Sequence, residues 1–239
     1  MMFSYKKYKG FTLVEMAIVL VILGFVLAAL LLPLQAQRNQ HYQTQTENTL
    51  EIAKKALLGY AQSRGRLPCP ATAASNGMEA PLGGGACTQQ AGFLPAATLG
   101  ITPVDANGFV IDGWNNRIHY AITTANANAF VASNGMSNLG IVGLTPDLRV
   151  CATSNPASSC APAINLINNA VAVIFSTGKN FGQSAGVDET SNLSAPATTF
   201  YSRTPTAATA APSNEFDDMV IWISPYVLYN AMIEAGQLH

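Results

Sequence analysis

From residue 11 to residue 34 the chain is apolar apart from Thr12, Gly24, Pro33 and one acid, Glu15. A helix over those 24 residues reaches roughly 36 Å, against about 30 Å for the hydrocarbon of a bilayer. Beyond Pro33 the pattern becomes one-sided. Tyr42, Thr46, Thr49, Leu50, Ala53, Leu57 and Tyr60 recur at three- and four-residue steps, and Gln43, Glu47, Glu51, Lys54 and Lys55 take the opposite face. This spacing predicts that the helix continues as an amphipathic segment to residue 63, with Glu51 and Lys55 placed to support it. Kinks are expected at Pro33 and Gly24.

From residue 69 to 113 Gly, Pro, Ala and Asn dominate without periodicity, which predicts a long connection. Strand signals follow at 117–122, 170–176 and 218–223. Ser224-Pro225 reads as an N-cap and first helical residue, opening a short helix over 226–234 that stops at Gly236. Residues 195–213, rich in Ala, Thr, Ser and Pro, read as an exposed loop. The expected fold class is α+β: a long N-terminal helix packed on a small antiparallel sheet. Its parts are a leader (1–10), a membrane segment (11–34), an amphipathic half of the same helix (35–63) and a head (64–239).

Glu15 is out of place in a simple anchor. A carboxylate inside hydrocarbon costs about 2.5–3.5 kcal/mol on insertion scales, so an acid there points to function. Lys6, Lys7 and Lys9 lie just before the apolar run, which puts the N-terminus in the cytoplasm and the head across the membrane. Formal charge is 12 − 13 = −1; without residues 1–10 it is 9 − 13 = −4. No Lys/Arg cluster marks a nucleic-acid surface.

Four cysteines, Cys69, Cys87, Cys151 and Cys160, fall in the head. An even count in an oxidising compartment predicts two disulfides. Of the three pairings, Cys69–Cys87 and Cys151–Cys160 are preferred, because each closes a loop rich in small residues. Zinc is disfavoured: there is no C-x-x-C, and His41, His119 and His239 lie far from the cysteines in sequence.

The order basic leader, Gly10, Phe11-Thr12-Leu13-Val14-Glu15, apolar run, then proline resembles the type IV pilin and pseudopilin family. The resemblance implies that a prepilin peptidase cuts after Gly10, that Phe11 is then N-methylated, and that Glu15 sets register during assembly. Cleavage exposes an α-amino cation titrating near 7.7–8.0. Glu15 of one subunit can pair with that amine on its neighbour, fixing register as buried charges are known to do. A plainer role for Glu15 is snorkelling to headgroups about 6–8 Å away. The implied partners are other pilin or pseudopilin subunits, the peptidase/methyltransferase and an inner-membrane assembly platform. The implied location is the bacterial inner membrane, then a filament.

The head resembles type II secretion pseudopilins through Leu67-Pro68, Asp112-Gly113-Trp114-Asn115 before the aromatic strand, Ser176-Thr177-Gly178, Asp188-Glu189, and Asp217-Asp218 before Trp222. Asn115 stands where that family carries glycine, and long insertions separate the pieces. In that family the last loop holds calcium, a hard cation needing six to eight oxygens. The candidates here are Asp188, Asp217 and Asp218, with no other cofactor expected. The competing reading has Asp217 and Asp218 starting a strand and accepting loop backbone hydrogen bonds.

Gly182-Gln183-Ser184-Ala185-Gly186 spells a nucleophile elbow, with Asp217, Asp218 and His239 following in hydrolase order. An elbow needs a strand turning sharply into a helix, and no helical periodicity follows Gly186. No enzyme is expected. Ser176-Thr177-Gly178-Lys179 lacks the upstream glycine of a phosphate loop, Val standing at 173. His119 reads as an ordinary half-buried histidine, and Asn192-Leu193-Ser194 as a formal sequon of little weight. The leading expectation is a structural subunit, by head size a minor one, of a type IV pilus-like filament; a type II secretion pseudopilin is the alternative. A periplasmic protein with an ordinary signal fits less well, because the apolar run is too long and Leu34-Gln35-Ala36 is a poor cleavage site.

Overall fold

A computed structural model describes residues 10–153, 160, 165–180, 186–194, 198–206 and 215–239, with residues 29–34 described by backbone alone. The leader lysines lie outside the described residues. The chain divides into two compact units, Met1–Gln43 and Thr44–His239. Helix α1, Leu13–Arg64, runs through the boundary and is helical throughout, Gly24 and Pro33 included. The expected kinks therefore do not interrupt the helix. The division falls at Gln43, just before the first fully buried position of the stripe, Thr46.

In the first unit every described side chain of residues 10–28 is exposed. In the second unit the polar face of α1 stays outside, and Thr46, Thr49, Leu50, Ala53, Leu57 and Ala61 are buried. The helix ends where Gly65 turns left-handed (φ 68°) and donates its N–H to Ala61 O at 2.8 Å.

The head contains β1 (Ala91–Phe93), α2 (Ala96–Leu99), β2 (His119–Ile122), α3 (Ala125–Asn128), α4 (Gly135–Gly143), β3 (Leu148–Cys151) and β4 (Asn165–Ala170). It continues with β5 (Ala172–Ser176), α5 (Val187–Leu193), β6 (Thr199–Tyr201), β7 (Met219–Ile223) and α6 (Pro225–Glu234). One sheet is antiparallel in the order β1-β2-β5-β7, and a second has the order β4-β3-β6. Within the second sheet β3 pairs antiparallel with β4 and parallel with β6. The expected single antiparallel sheet is thus one of two, and the second is mixed.

Strand register explains the core. Tyr120 lies opposite Ile174, which lies opposite Ile221; one step along, Ala121, Val173 and Trp222 align on the other face. The first face packs with Leu50, Leu57, Leu228 and Met232 of α1 and α6. The second packs with Leu148, Val150 and Phe200 of the second sheet. Strand β5 is covered on both faces, so it reads as a buried run without alternation.

Three further expectations change. Residues 69–113 carry β1 and α2. Within 195–213, β6 buries Phe200, so part of that stretch is core. A helix, α5, does follow Gly186. These elements are three, four and seven residues long, too short to impose a period on the sequence.

Two polar devices hold the head's turns. Asp112 accepts from Trp114 N and Asn116 N, both at 2.8 Å, and from the Ser176 hydroxyl at 2.5 Å. Gly113 N donates to Thr46 Oγ1 of α1 at 3.0 Å. Asn115 sits at φ 67°, a left-handed conformation that asparagine tolerates better than most residues, which accounts for it in a glycine position. The second device is an ion pair. Arg66 donates Nη2 to Glu79 Oε1 at 2.7 Å and Nη1 to Oε2 at 2.8 Å, with side chains 7% and 4% exposed. Burial pushes the Glu79 carboxyl up, but Arg66 and the N–H groups of Cys69 and Gly83 outweigh it and hold Glu79 below its ordinary range. The disulfide Cys69–Cys87 closes the loop around this pair, and Cys151–Cys160 ties the end of β3.

Candidate functional site

Two groups of residues carry chemistry. The first is the start of α1. Glu15 Oε2 accepts from Thr12 N at 2.8 Å and from the Thr12 hydroxyl at 2.9 Å, while Glu15 N donates back to Thr12 Oγ1 at 3.2 Å. This is a reciprocal capping box: threonine at the N-cap and glutamate three residues on satisfy each other's backbone donors. The T-x-x-E spacing before an apolar run marks this box in the sequence itself, and it gives Thr12 a capping role beyond its place in the motif. Phe11 is 79% exposed. A Cβ at Gly10 meets nothing within 4 Å, so packing among the described residues does not require glycine there. Among the described residues no helix is long and apolar enough to cross a membrane; the described side chains of the apolar run stop at Ala28, short of Leu34.

The second group is a carboxylate cluster where α5 meets the residues before β7. Ligand oxygens of Glu189, Asp217 and Asp218 lie within 4.8 Å of one another. Glu189 Oε1 accepts from Asp217 N at 2.7 Å, Asp217 Oδ2 from Lys179 N at 3.0 Å, and Asp218 Oδ2 from the Asn192 amide at 2.7 Å. Burial, aided by the neighbouring carboxylates, pushes Asp218 up to about 7 and Asp217 up to about 6. Gly178 (φ 64°) lies against Asp217 so closely that a Cβ there would collide with the carboxylate.

Asp188 is placed differently from the expected ligand set. Its Oδ2 accepts from Arg203 Nε at 2.7 Å, and the same guanidinium lies over the Phe216 ring at 4.7 Å. Glu189, its neighbour on α5, takes the position by Asp217 and Asp218. On a single turn of helix the two adjacent acids point different ways, and sequence alone cannot say which faces inward. The cluster fits a hard cation on one direct observation: Asp217 Oδ1 is buried and has no hydrogen-bond partner among the described residues. Asp217 and Asp218 both precede β7; Asp217 also accepts a loop backbone bond from Lys179, whereas Asp218 accepts from the Asn192 side chain of α5.

The remaining candidates have structural roles. Asn192 is 2% exposed, and its amide bonds Tyr201 and Asp218, which leaves the sequon inaccessible. His119 lies between Phe93 and Phe175, with ring centroids 5.1 and 4.9 Å away, and burial lowers it to about 4, leaving it neutral. Ser184 of the elbow spelling lies outside the described residues.

Residues 5–31 match the family model described as "Prokaryotic N-terminal methylation motif". The matched stretch contains Gly10, Phe11, Thr12 and Glu15, and it supports the type IV pilin and pseudopilin family. No curated protein and no solved structure matches the chain.

The carboxylate cluster sets a pH dependence. A carboxyl whose folded pKa is raised stabilises the fold fully below its unfolded value and loses that contribution as pH rises through the folded value. With Asp217 near 6 and Asp218 near 7, head stability in the presence of chelator should fall by on the order of 5 kcal/mol between about pH 4 and pH 8, most of it from the more deeply buried Asp218. Denaturant unfolding of the detergent-solubilised chain at stepped pH reads this directly. Asp218→Asn should flatten the profile, and a stability that rises over the same interval would contradict the assignment.

Proposed function

We propose that the chain is a structural subunit of a type IV pilus-like filament, made as an inner-membrane precursor and assembled through its N-terminal helix. The supporting observation is the coincidence of the methylation motif with an apolar helix whose described first half is exposed on every side. Such a surface has to be covered, by lipid before assembly and by neighbouring helices after it. Gly10, with no packing reason to be glycine, is the residue before the peptidase cut, and Phe11 is the methylated terminus. Residues 11–34 span the membrane with the head on the periplasmic side. The function is assembly, without catalysis by this chain, and the two-sheet head suits a minor subunit. The partners are other pilin-type subunits, the peptidase/methyltransferase and the assembly platform.

Glu15 has two uses in this scheme. In the precursor it closes the capping box with Thr12. After cleavage a neighbour's Phe11 amine offers it an opposite charge inside a low-dielectric filament core, which fixes axial register. The carboxylate cluster favours a second reading, a type II secretion pseudopilin. There a calcium ion would be held by Glu189, Asp217 and Asp218, neutralising three acids and tying α5 to the segment before β7.

Intact mass and N-terminal sequencing of the membrane-extracted protein should show a start at methylated Phe11; a start at Gln37, or a retained Met1, would sink the proposal. Glu15→Ala should leave processing intact while cutting incorporation into sheared filaments by about tenfold or more, and normal incorporation would remove the register role. In thermal melts at neutral pH, calcium should raise the midpoint of the full chain by several degrees over chelator, as expected for a ligand that binds only the folded state. Asp217→Asn should abolish that shift, and identical melts with calcium and chelator would remove the cation.

A further inference from the structure

A cavity of about 540 Å³ opens at the C-terminal end of α1, a volume suited to a small molecule. One wall is the Arg66–Glu79 pair. Arg66 directs its Nη groups to Glu79, the Tyr60 hydroxyl and Leu67 O, so this wall offers the cavity no net charge. Arg64 is different. It is exposed on the cavity lining and takes part in none of the three ion pairs among the described residues. Burial and Glu79 raise the Tyr60 hydroxyl, while Arg66 and Arg64 act the other way, which places the Arg64 charge within electrostatic reach of the wall.

The rest of the lining is polar with an apolar rim. Thr98 Oγ1 accepts from Glu79 N at 2.8 Å and keeps its own proton to donate. Ser133 is exposed on the lining, and Met78 and Leu82 stand on the rim, 39% and 71% exposed. The walls are held in place beforehand. The Cys69–Cys87 disulfide closes the loop bearing Met78 and Leu82, and a Cβ at Gly84 would run into Val131 O and the Arg66 guanidinium.

We propose that this cavity binds a small hydroxylated carboxylate of the sugar-acid type. Arg64 presents paired N–H donors to the carboxylate, Thr98 and Ser133 meet hydroxyls, and Met78 and Leu82 cover the C–H face. A cation is repelled by Arg64. A phosphate dianion exceeds the single unpaired cation and faces Glu79 behind it. A wholly apolar ligand would make no use of Arg64 or the hydroxyls. The proposal does not rest on the filament reading.

Calorimetric titration of the full chain in detergent, with galacturonate, galactose and acetate as probes, tests it. Galacturonate should bind with a dissociation constant of about 1 mM or tighter, and galactose and acetate each about tenfold more weakly. Arg64→Gln should lose about tenfold in galacturonate affinity with an unchanged melting temperature, Arg64→Lys should recover part of it, and Ser133→Ala should lose about threefold. Equal binding of galacturonate and galactose, equal binding of galacturonate and acetate, an unaffected Arg64→Gln, or no heat up to about 50 mM ligand would each overturn it.

Discussion

One face of α1 must be covered, and the head is organised to cover it. Leu50, Ala53, Leu57 and Ala61 are all but inaccessible, and their cover is the face of the first sheet that carries Tyr120, Ile122, Ile174 and Ile223. Burying a Leu- or Ile-sized side chain contributes about 1.5–3 kcal/mol, so this seam is a substantial part of the apolar gain of the head. It also sets the place of everything else. The Asp112 turn is tied to it through Thr46, and the second sheet covers the face of the first that α1 leaves open.

The first half of α1 obeys the same requirement without a cover of its own. Apart from Glu15 the described side chains of residues 13–28 are apolar, and all are exposed, a surface that a helix ordinarily buries. Glu15 is the exception that the capping box resolves: Thr12 supplies two donors to the carboxylate and one acceptor to its backbone. A charge that looks unsupported in a one-dimensional reading is therefore already supported within the chain.

Charges in the head are managed in two contrasting ways. Arg66 and Glu79 neutralise each other in a bidentate pair, as do Asp188 and Arg203 in a simpler one. Where α5 meets the residues before β7 the acids instead lie beside one another, and burial raises Asp217 and Asp218 toward neutrality. The two solutions lie on adjacent residues of one short helix, where Asp188 finds Arg203 and Glu189 finds Asp217.

The N-terminal site was legible in the sequence because its information is contiguous: glycine, phenylalanine, acid and apolar run follow in order, and the capping box spans four residues. The stripe on α1, the strands β2, β5 and β7 and the Ser224-Pro225 start of α6 were legible for the same reason, since each carries a period or cap within its own length. The second sheet, the parallel pairing of β3 with β6, and the choice of Glu189 over Asp188 were not. Those depend on which distant segments meet, and segments of three to seven residues carry too few positions to declare a partner. Sequence by itself determined the helix, its two different surfaces and the motif and capping box at its start. Tertiary structure alone decided which acids face one another, because burial and charge pairing belong to the packed chain and to no single stretch of it.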